Sequence, residues 1–149
     1  TITLFVMVAV AALAGVAGWW QQQQVRPAPS STPGAPPSSL DRSEFRAPTA
    51  PLLIAVFTSE TCSSCDAVWA ELSGYESVTV ATQNVEVTAD PALHNRYKID
   101  SVPTAVIVNA TGETQAAFVG PLGADHRVAL RDLIAQASSQ SVTHRQTRT

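Results

Sequence analysis

The pattern of apolar and polar positions divides the chain into zones. Residues 1–20 carry no charged side chain and are almost all apolar, whereas residues 21–39 are rich in Gln, Pro and Ser. Residues 40–138 alternate apolar runs with polar ones, and residues 139–149 are polar and show no period. We therefore predict an N-terminal anchor, a linker, one folded domain and a disordered tail.

The first zone predicts a transmembrane helix. At about 1.5 Å per residue, its length in helix is about 30 Å, which matches one bilayer core. Trp19 and Trp20 end the run, and indole rings favour the headgroup level. A cleaved signal peptide is the alternative, since Ala12 and Ala14 resemble a cleavage site, but no basic residue precedes the run. Arg26 follows it, which favours a cytoplasmic domain, and an extracytoplasmic domain stays open.

The second zone predicts a tether. Its prolines, with Ser, Gln and Ala and almost no large apolar side chain, cannot bury enough surface to offset the entropy of ordering. An extended, proline-rich chain of this length can hold a domain up to roughly 60 Å from the membrane.

The third zone predicts alternating strands and helices. A continuous apolar run, such as 51–59, is typical of a strand buried on both faces, and apolar residues every three or four positions, as in 62–72, are typical of a helix. A capped helical turn is predicted at Asp41 to Glu44. In chain order we then predict a strand at 51–59, a helix at 62–72, a strand at 78–87, a helix from Asp90, strands at 104–108 and 114–119, and a helix within 123–138.

This order predicts an α/β fold with a central mixed sheet and helices on both faces. Alternating strands and helices imply right-handed crossovers and parallel pairing of the first three strands, with the third strand beside the first. The final hairpin adds an antiparallel edge. The net charge of −3 and the pI near 5.5 offer no basic stripe, so nucleic acid is not an expected partner.

The two cysteines of the chain, Cys62 and Cys65, lie at the predicted junction of the first strand and the following helix. Free backbone N–H groups and the helix dipole would stabilise a thiolate at Cys62, and a thiolate is the nucleophile in disulfide exchange. Cys65, one turn further on, could attack the mixed disulfide that Cys62 forms. The pair therefore favours redox chemistry.

A structural staple and a metal site are the alternatives for this pair. A bond between the two sulfurs closes a loop of only about four residues, which removes little unfolded-state entropy. A zinc or iron site needs further ligands, and the chain has no third cysteine. We expect His94, His126 and His144 at the surface or in the tail, so no metal ligand set is predicted.

The dipeptide Val102-Pro103 precedes the third predicted strand. Because that strand should lie beside the first, we expect Pro103 near the cysteines. A cis bond between the two residues would turn the chain sharply and expose the backbone N–H and C=O of Val102 to an extended peptide.

With these parts, the sequence from residue 51 to 138 resembles the thioredoxin superfamily. The resemblance rests on a buried strand leading into "FTSETCSSCDAVWAEL", on "VPT" about 40 residues later, on the following hairpin and on Gly120 before the last helix. It implies a thioredoxin-like fold in which Cys62 attacks, Cys65 resolves and Pro103 is a cis-proline beside them. It implies no cofactor beyond the dithiol.

The sequence departs from the best-known thioredoxins at several positions. Thr58 and Thr61 stand where those proteins carry tryptophans, Ser63 and Ser64 replace Gly-Pro, and Val56 replaces a buried aspartate.

We expect a membrane-tethered thiol–disulfide oxidoreductase that acts on a protein partner, which Thr61, Val102 and Pro103 would contact. Two other interpretations stay open: a redox-idle thioredoxin-like accessory subunit of a membrane complex, and a carrier of persulfide or a soft metal.

Overall fold

The computed structural model describes residues 34–146. The anchor predicted at 1–20 and most of the linker predicted at 21–39 lie outside this range. No helix within 34–146 is both long enough and apolar enough to cross a bilayer.

The described chain holds four strands, three α-helices and one 3-10 turn at Arg42–Glu44, which Asp41 caps as predicted. The strands agree closely with the predicted runs. The elements are β1 (Leu52–Thr58), α1 (Cys65–Ser73), β2 (Val80–Glu86), α2 (Pro91–Arg96), β3 (Thr104–Asn109), β4 (Thr114–Val119) and α3 (Ala124–Gln146).

The strands form one mixed sheet in the order β2-β1-β3-β4. β2 runs parallel to β1, and β4 is antiparallel to β3 as predicted for a hairpin. The third strand does lie beside the first, but the predicted parallel pairing is wrong, because β3 runs antiparallel to β1 with Thr104 opposite Phe57.

The short helix α2 fits the observed direction of β3. β2 is seven residues long, which is about 23 Å of strand, whereas the six residues of α2 rise only about 9 Å. The helix therefore does not by itself return the chain to the far end of the sheet, and β3 begins at the end where β1 and β2 finish and runs back antiparallel to β1.

Both faces of the sheet are covered, as predicted. Alternate residues of β1 face opposite sides: Leu52, Ile54 and Val56 pack with residues of α1 and α3, whereas Leu53, Ala55 and Phe57 pack with Leu40 and Phe45 and against residues of α2. A strand with neighbours on both faces needs an unbroken apolar sequence, which explains the run at 52–57.

The helix after β1 begins three residues later than predicted. The N–H of Cys62 donates to Ser59 O and the N–H of Cys65 donates to Cys62 O, so tight turns precede α1. The bond from Val68 N to Ser64 O begins the helical ladder. Cys62 thus lies in the turn before α1, and Cys65 is its first residue.

The final helix continues through most of the predicted disordered tail, so that prediction is wrong for residues 139–146. The hydroxyl groups of this region donate to the carbonyl four residues earlier, as Ser138 does to Ile134 O and Ser139 to Ala135 O, each at 2.9 Å. These bonds satisfy polar side chains within the helix, and the segment has neither Gly nor Pro to end it.

The chain enters the domain along β4. The N–H of Thr114 donates to Ser38 O at 3.0 Å, its hydroxyl donates to Pro37 O at 2.8 Å, and Ser39 forms an antiparallel bridge with Glu113. Residues 37–39 therefore lie against the outer edge of the sheet.

Candidate redox site

Cys62 and Cys65 lie where β1 ends and α1 begins, and they are joined by a disulfide with a Cα–Cα distance of 5.5 Å. The two sulfurs differ in access to solvent. Cys62 is partly exposed in the turn, whereas Cys65 is 2% exposed and belongs to the buried core. A reagent or partner from solvent can therefore reach Cys62 more readily than Cys65.

The predicted cis bond between Val102 and Pro103 is confirmed. Pro103 is buried and directly precedes Thr104, which pairs with Phe57 near the end of β1. The structure thus brings Pro103 to the same end of the sheet as the cysteines. It does so because β3 is antiparallel to β1; a parallel strand would have begun at the opposite end.

Two other residues at this end of the sheet have defined positions. Val102 is partly buried and packs against the core cluster that contains Phe57. The N–H of Gly120, which follows β4 and has a φ of +86°, donates to Pro103 O at 2.8 Å.

The turn that carries Cys62 is lined with hydroxyl groups. Thr61 is exposed, its hydroxyl lies 3.1 Å from that of Ser59, and its N–H donates to Ser59 Oγ at 3.3 Å. Thr58 is buried and its hydroxyl donates to Asn84 Oδ1 at 2.6 Å. The surface predicted to meet a partner is therefore polar at Thr61, and hydrogen bonds within the turn orient it.

The core beneath α1 is apolar. Val56 is 0% exposed and lies in one cluster with Val68 and Leu72 of α1. The buried polar or charged residues within 34–146 are Arg42, Thr58, Thr82, His94 and Thr104. The described part of the chain therefore buries no carboxylate that could take a proton from Cys65.

A carboxylate that the sequence did not single out fixes the turn from its outer side. Glu86, at the end of β2 opposite Thr58, accepts hydrogen bonds from the N–H groups of Glu60 at 3.2 Å, Thr88 at 2.7 Å and Ala89 at 3.0 Å. It also accepts one from the Thr88 hydroxyl. This last bond is the largest cause that lowers the pKa of Glu86, and the backbone donors act in the same direction. The ionised side chain thus connects the end of β2 to the loop before Cys62.

Two histidines have structural partners, and one prediction about them is wrong. His94 is buried rather than exposed: its Nε2 lies 2.9 Å from Val85 O, and its ring meets Phe57 edge-on at 5.2 Å. His126 stacks on Phe118 at 4.6 Å, and its Nδ1 accepts the N–H of Gly123. His144 lies where side chains are not described. No cluster of potential metal ligands is present among the residues described.

A mixed sheet with helices on both faces, a Cys-x-x-Cys pair at the end of β1 and a cis-proline before β3 define a protein of thioredoxin-like fold suited to thiol–disulfide redox chemistry. A family model described as a thioredoxin-like domain matches residues 39–133, and the chain belongs to this family.

Solved structures match the chain at low sequence identity. A designed protein is 24% identical with a TM-score of 0.51, and the match covers 69% of this chain and 95% of that one. A mutant thioredoxin from Halobacterium salinarum is 25% identical with a TM-score of 0.49, covering 72% and 95%. A malarial protein is 15% identical with a TM-score of 0.47, covering 55% and 94%. No curated protein matches the sequence.

The family match and the cysteine pair together indicate an oxidoreductase in general terms.

Proposed function

We propose that this protein is a membrane-tethered thiol–disulfide oxidoreductase that acts on a disulfide or thiol of a protein partner at the membrane. The observation that carries the chemistry is the unequal exposure of two bonded sulfurs, Cys62 in a turn and Cys65 at a buried helix start, at the same end of the sheet as Pro103. The tether rests on the apolar run at 1–20 and the proline-rich segment after it.

In the reducing direction, the Cys62 thiolate attacks one sulfur of a partner disulfide. A mixed disulfide forms, the partner's S–S bond breaks, and the other partner sulfur leaves as a thiolate that takes a proton from solvent. The Cys65 thiolate then attacks the Cys62 sulfur and expels the second partner thiolate. The partner has gained two electrons and two protons, and the Cys62–Cys65 bond holds the oxidising equivalents. The same steps reversed oxidise a partner dithiol.

The partner would lie as an extended segment beside the cis bond. The backbone of Val102 is the proposed hydrogen-bonding group, Pro103 shapes the turn, and Thr61 offers an exposed hydroxyl next to Cys62. Recognition through backbone groups suits a protein substrate more than a small molecule.

The test is capture of the mixed disulfide from membranes. In Cys65→Ser the resolving thiol is missing, so we expect partners to remain bound to Cys62 and to be released by reductant. Cys62→Ser in the same membranes is the matched control and should trap none. Absence of trapped species, together with failure of the wild-type protein to reduce insulin, would overturn the enzymatic proposal.

A redox-idle accessory subunit is the second candidate, and the apolar core around Val56 favours it, since no carboxylate buried within the described range assists Cys65. This candidate predicts that Cys62→Ala leaves assembly and activity of the membrane complex unchanged.

The third interpretation, a carrier of persulfide or a soft metal, is tested by mass spectrometry of freshly isolated protein. It requires an added sulfur or a bound metal on Cys62.

The side of the membrane is tested separately. The position of Arg26 after the apolar run supports a cytoplasmic domain. In intact cells an impermeant thiol reagent should then leave the reduced Cys62 unlabelled until the membrane is permeabilised. Labelling of intact cells would place the domain outside.

A further inference from the structure

Ser64 occupies the N-cap position of α1 but does not act as a cap. A serine at this position normally accepts a hydrogen bond from a backbone N–H in the first helical turn. Here the side chain makes no capping bond, and the residue has φ −102° and ψ −9° rather than the extended conformation usual for a cap. Its hydroxyl oxygen lies 3.8 Å from the sulfur of Cys62.

The direction of this hydrogen bond follows from the bonding of the sulfur. Cys62 Sγ is bonded to Cys65 Sγ and carries no hydrogen, so the Ser64 hydroxyl must be the donor. A disulfide sulfur is a weak acceptor, whereas a thiolate in the same place is charged, and hydrogen bonds to charged acceptors are shorter and about twice as strong. The contact should therefore strengthen when the pair is reduced.

We propose that Ser64 is a positioning residue that donates its hydroxyl hydrogen to the sulfur of Cys62 and stabilises the thiolate form of the attacking cysteine. The proposal deepens the thiol–disulfide function proposed above and rests on it. The role is specific to the second of the two residues between the cysteines: Ser63 is exposed, and no hydrogen bond joins its hydroxyl to either sulfur among the residues described.

The consequence for the reaction can be followed at the sulfur atom. Before attack, the negative charge lies on Cys62 Sγ and Ser64 stabilises it. As the sulfur bonds to the partner, the charge passes to the departing partner sulfur and the hydrogen bond weakens. When a dithiol donor later reduces the Cys62–Cys65 bond, its first thiolate attacks the accessible Cys62 sulfur and Cys65 leaves as a thiolate that takes a proton. The donor's second thiolate then attacks the donor sulfur of this mixed disulfide, the electron pair of the broken bond returns to Cys62, and the hydrogen bond to Ser64 re-forms with the leaving thiolate. Ser64 thus favours states in which Cys62 carries charge.

The experiment is a titration of the Cys62 thiol in the reduced full chain, held in detergent micelles. The background substitution Cys65→Ala leaves one thiol, whose ultraviolet thiolate absorbance and alkylation rate are followed against pH. We expect Ser64→Ala to raise the pKa of Cys62 by about one unit, which is about a tenfold smaller thiolate fraction at pH values well below the thiol pKa. Ser63→Ala should leave the pKa unchanged, and Ser64→Thr, which keeps a hydroxyl, should retain most of the effect.

Thermal unfolding of Ser64→Ala and Ser63→Ala, each made with both cysteines present and oxidised, separates this role from a structural one. Since Ser64 makes no capping bond, Ser64→Ala should unfold at nearly the same temperature as Ser63→Ala. An unchanged thiol pKa in Ser64→Ala, or an equal rise in Ser63→Ala, would overturn the proposal. The titration needs no partner protein, so its outcome is independent of whether membrane partners are trapped.

Discussion

The N–H of Gly120 donates to the carbonyl oxygen of Pro103 at 2.8 Å, which joins the end of β4 to the residue that begins β3. Gly120 has a φ of +86°, a region that side chains with a Cβ rarely adopt. Gly112, in the turn at the other end of the same hairpin, has a φ of +85°. The two glycines share a backbone conformation but differ in the space around them.

This difference predicts unequal costs for the same substitution. A Cβ at Gly120 would meet nothing within 4 Å, so Gly120→Ala should lose only the roughly 1–2 kcal/mol of left-handed backbone strain. A Cβ at Gly112 would lie 2.1 Å from Leu40 O, so Gly112→Ala must also move backbone and should lose clearly more. Urea unfolding of the two oxidised variants measures this directly, and equal losses would contradict it.

Reduction of the Cys62–Cys65 bond should lower the free energy of unfolding. In the chain-entropy model, a closed loop of about four residues contributes about 2 kcal/mol, because the bond restricts the unfolded chain. We expect unfolding curves with and without a phosphine reductant to differ by about this amount. Cys65→Ser is the control, and its stability should not respond to the reductant; a reductant effect of equal size there would point to another cause.

Arg127 of α3 forms a two-bond ion pair with Glu71 of α1, with Nε–Oε1 at 2.6 Å and Nη2–Oε2 at 2.9 Å. Chiefly through this hydrogen bonding, the pKa of Glu71 is lowered from its usual 4.5. The folded chain therefore keeps Glu71 ionised to lower pH than the unfolded chain, so the pair stabilises the fold above pH 4.5 and this contribution is lost as the pH falls through the folded pKa.

Glu71→Gln should therefore lower the melting temperature slightly at neutral pH and make little difference at a pH below the carboxyl range. The effect is small because both side chains are partly exposed, and salt should reduce it further. Asp132→Asn, which removes an exposed α3 carboxylate with no ion pair in the described residues, is the control. A deficit that persists at low pH would indicate lost packing instead.

Arg42 fixes the chain before β1 to the end of β3. Its guanidinium is buried and donates to the carbonyls of Ala47 at 2.8 Å, Ala50 at 3.1 Å and Asn109 at 2.9 Å. Arg42→Met keeps the apolar stem but leaves these acceptors without their donors, so we expect a loss of about 3 kcal/mol.

Arg46, four residues further along the chain, provides the control. Arg46 pairs with Glu76 at 2.7 Å, but its side chain is 57% exposed, so Arg46→Met should change the free energy of unfolding by less than about 1 kcal/mol. Chemical denaturation of both variants makes the comparison. Similar losses at the two positions would mean that the carbonyls around Arg42 find other donors.

The sequence predicted the elements of the fold better than their directions. The apolar run at 51–59 was typical of a strand buried on both faces, and the runs at 104–108 and 114–119 predicted the hairpin. The direction of β3 was predicted wrongly, because alternation of strands and helices was given more weight than the shortness of α2.

Other features depend on contacts that no local pattern records. His94 is a polar residue type that stands between Leu93 and Asn95, and the packing of α2 against Phe57 buries it. The start of α1 at Cys65 depends on the tight turns that begin at Ser59. The helical spacing of apolar residues in the sequence extends back to Cys62, so it did not reveal these turns. For the candidate site, the sequence identified Cys62, Cys65 and Pro103, but the orientation of Ser64 and the bonds of Glu86 required coordinates.

Residues 37–39, which lie beside the first residues of β4, also limit association between molecules. An open sheet edge offers unpaired N–H and C=O groups that can recruit a strand from another chain. Here Ser38 and Pro37 already bond Thr114, and neither Pro36 nor Pro37 has an N–H with which to continue a ladder. Residues 36–38 thereby occupy the edge of the sheet at the first residues of β4 and hinder edge-to-edge aggregation there.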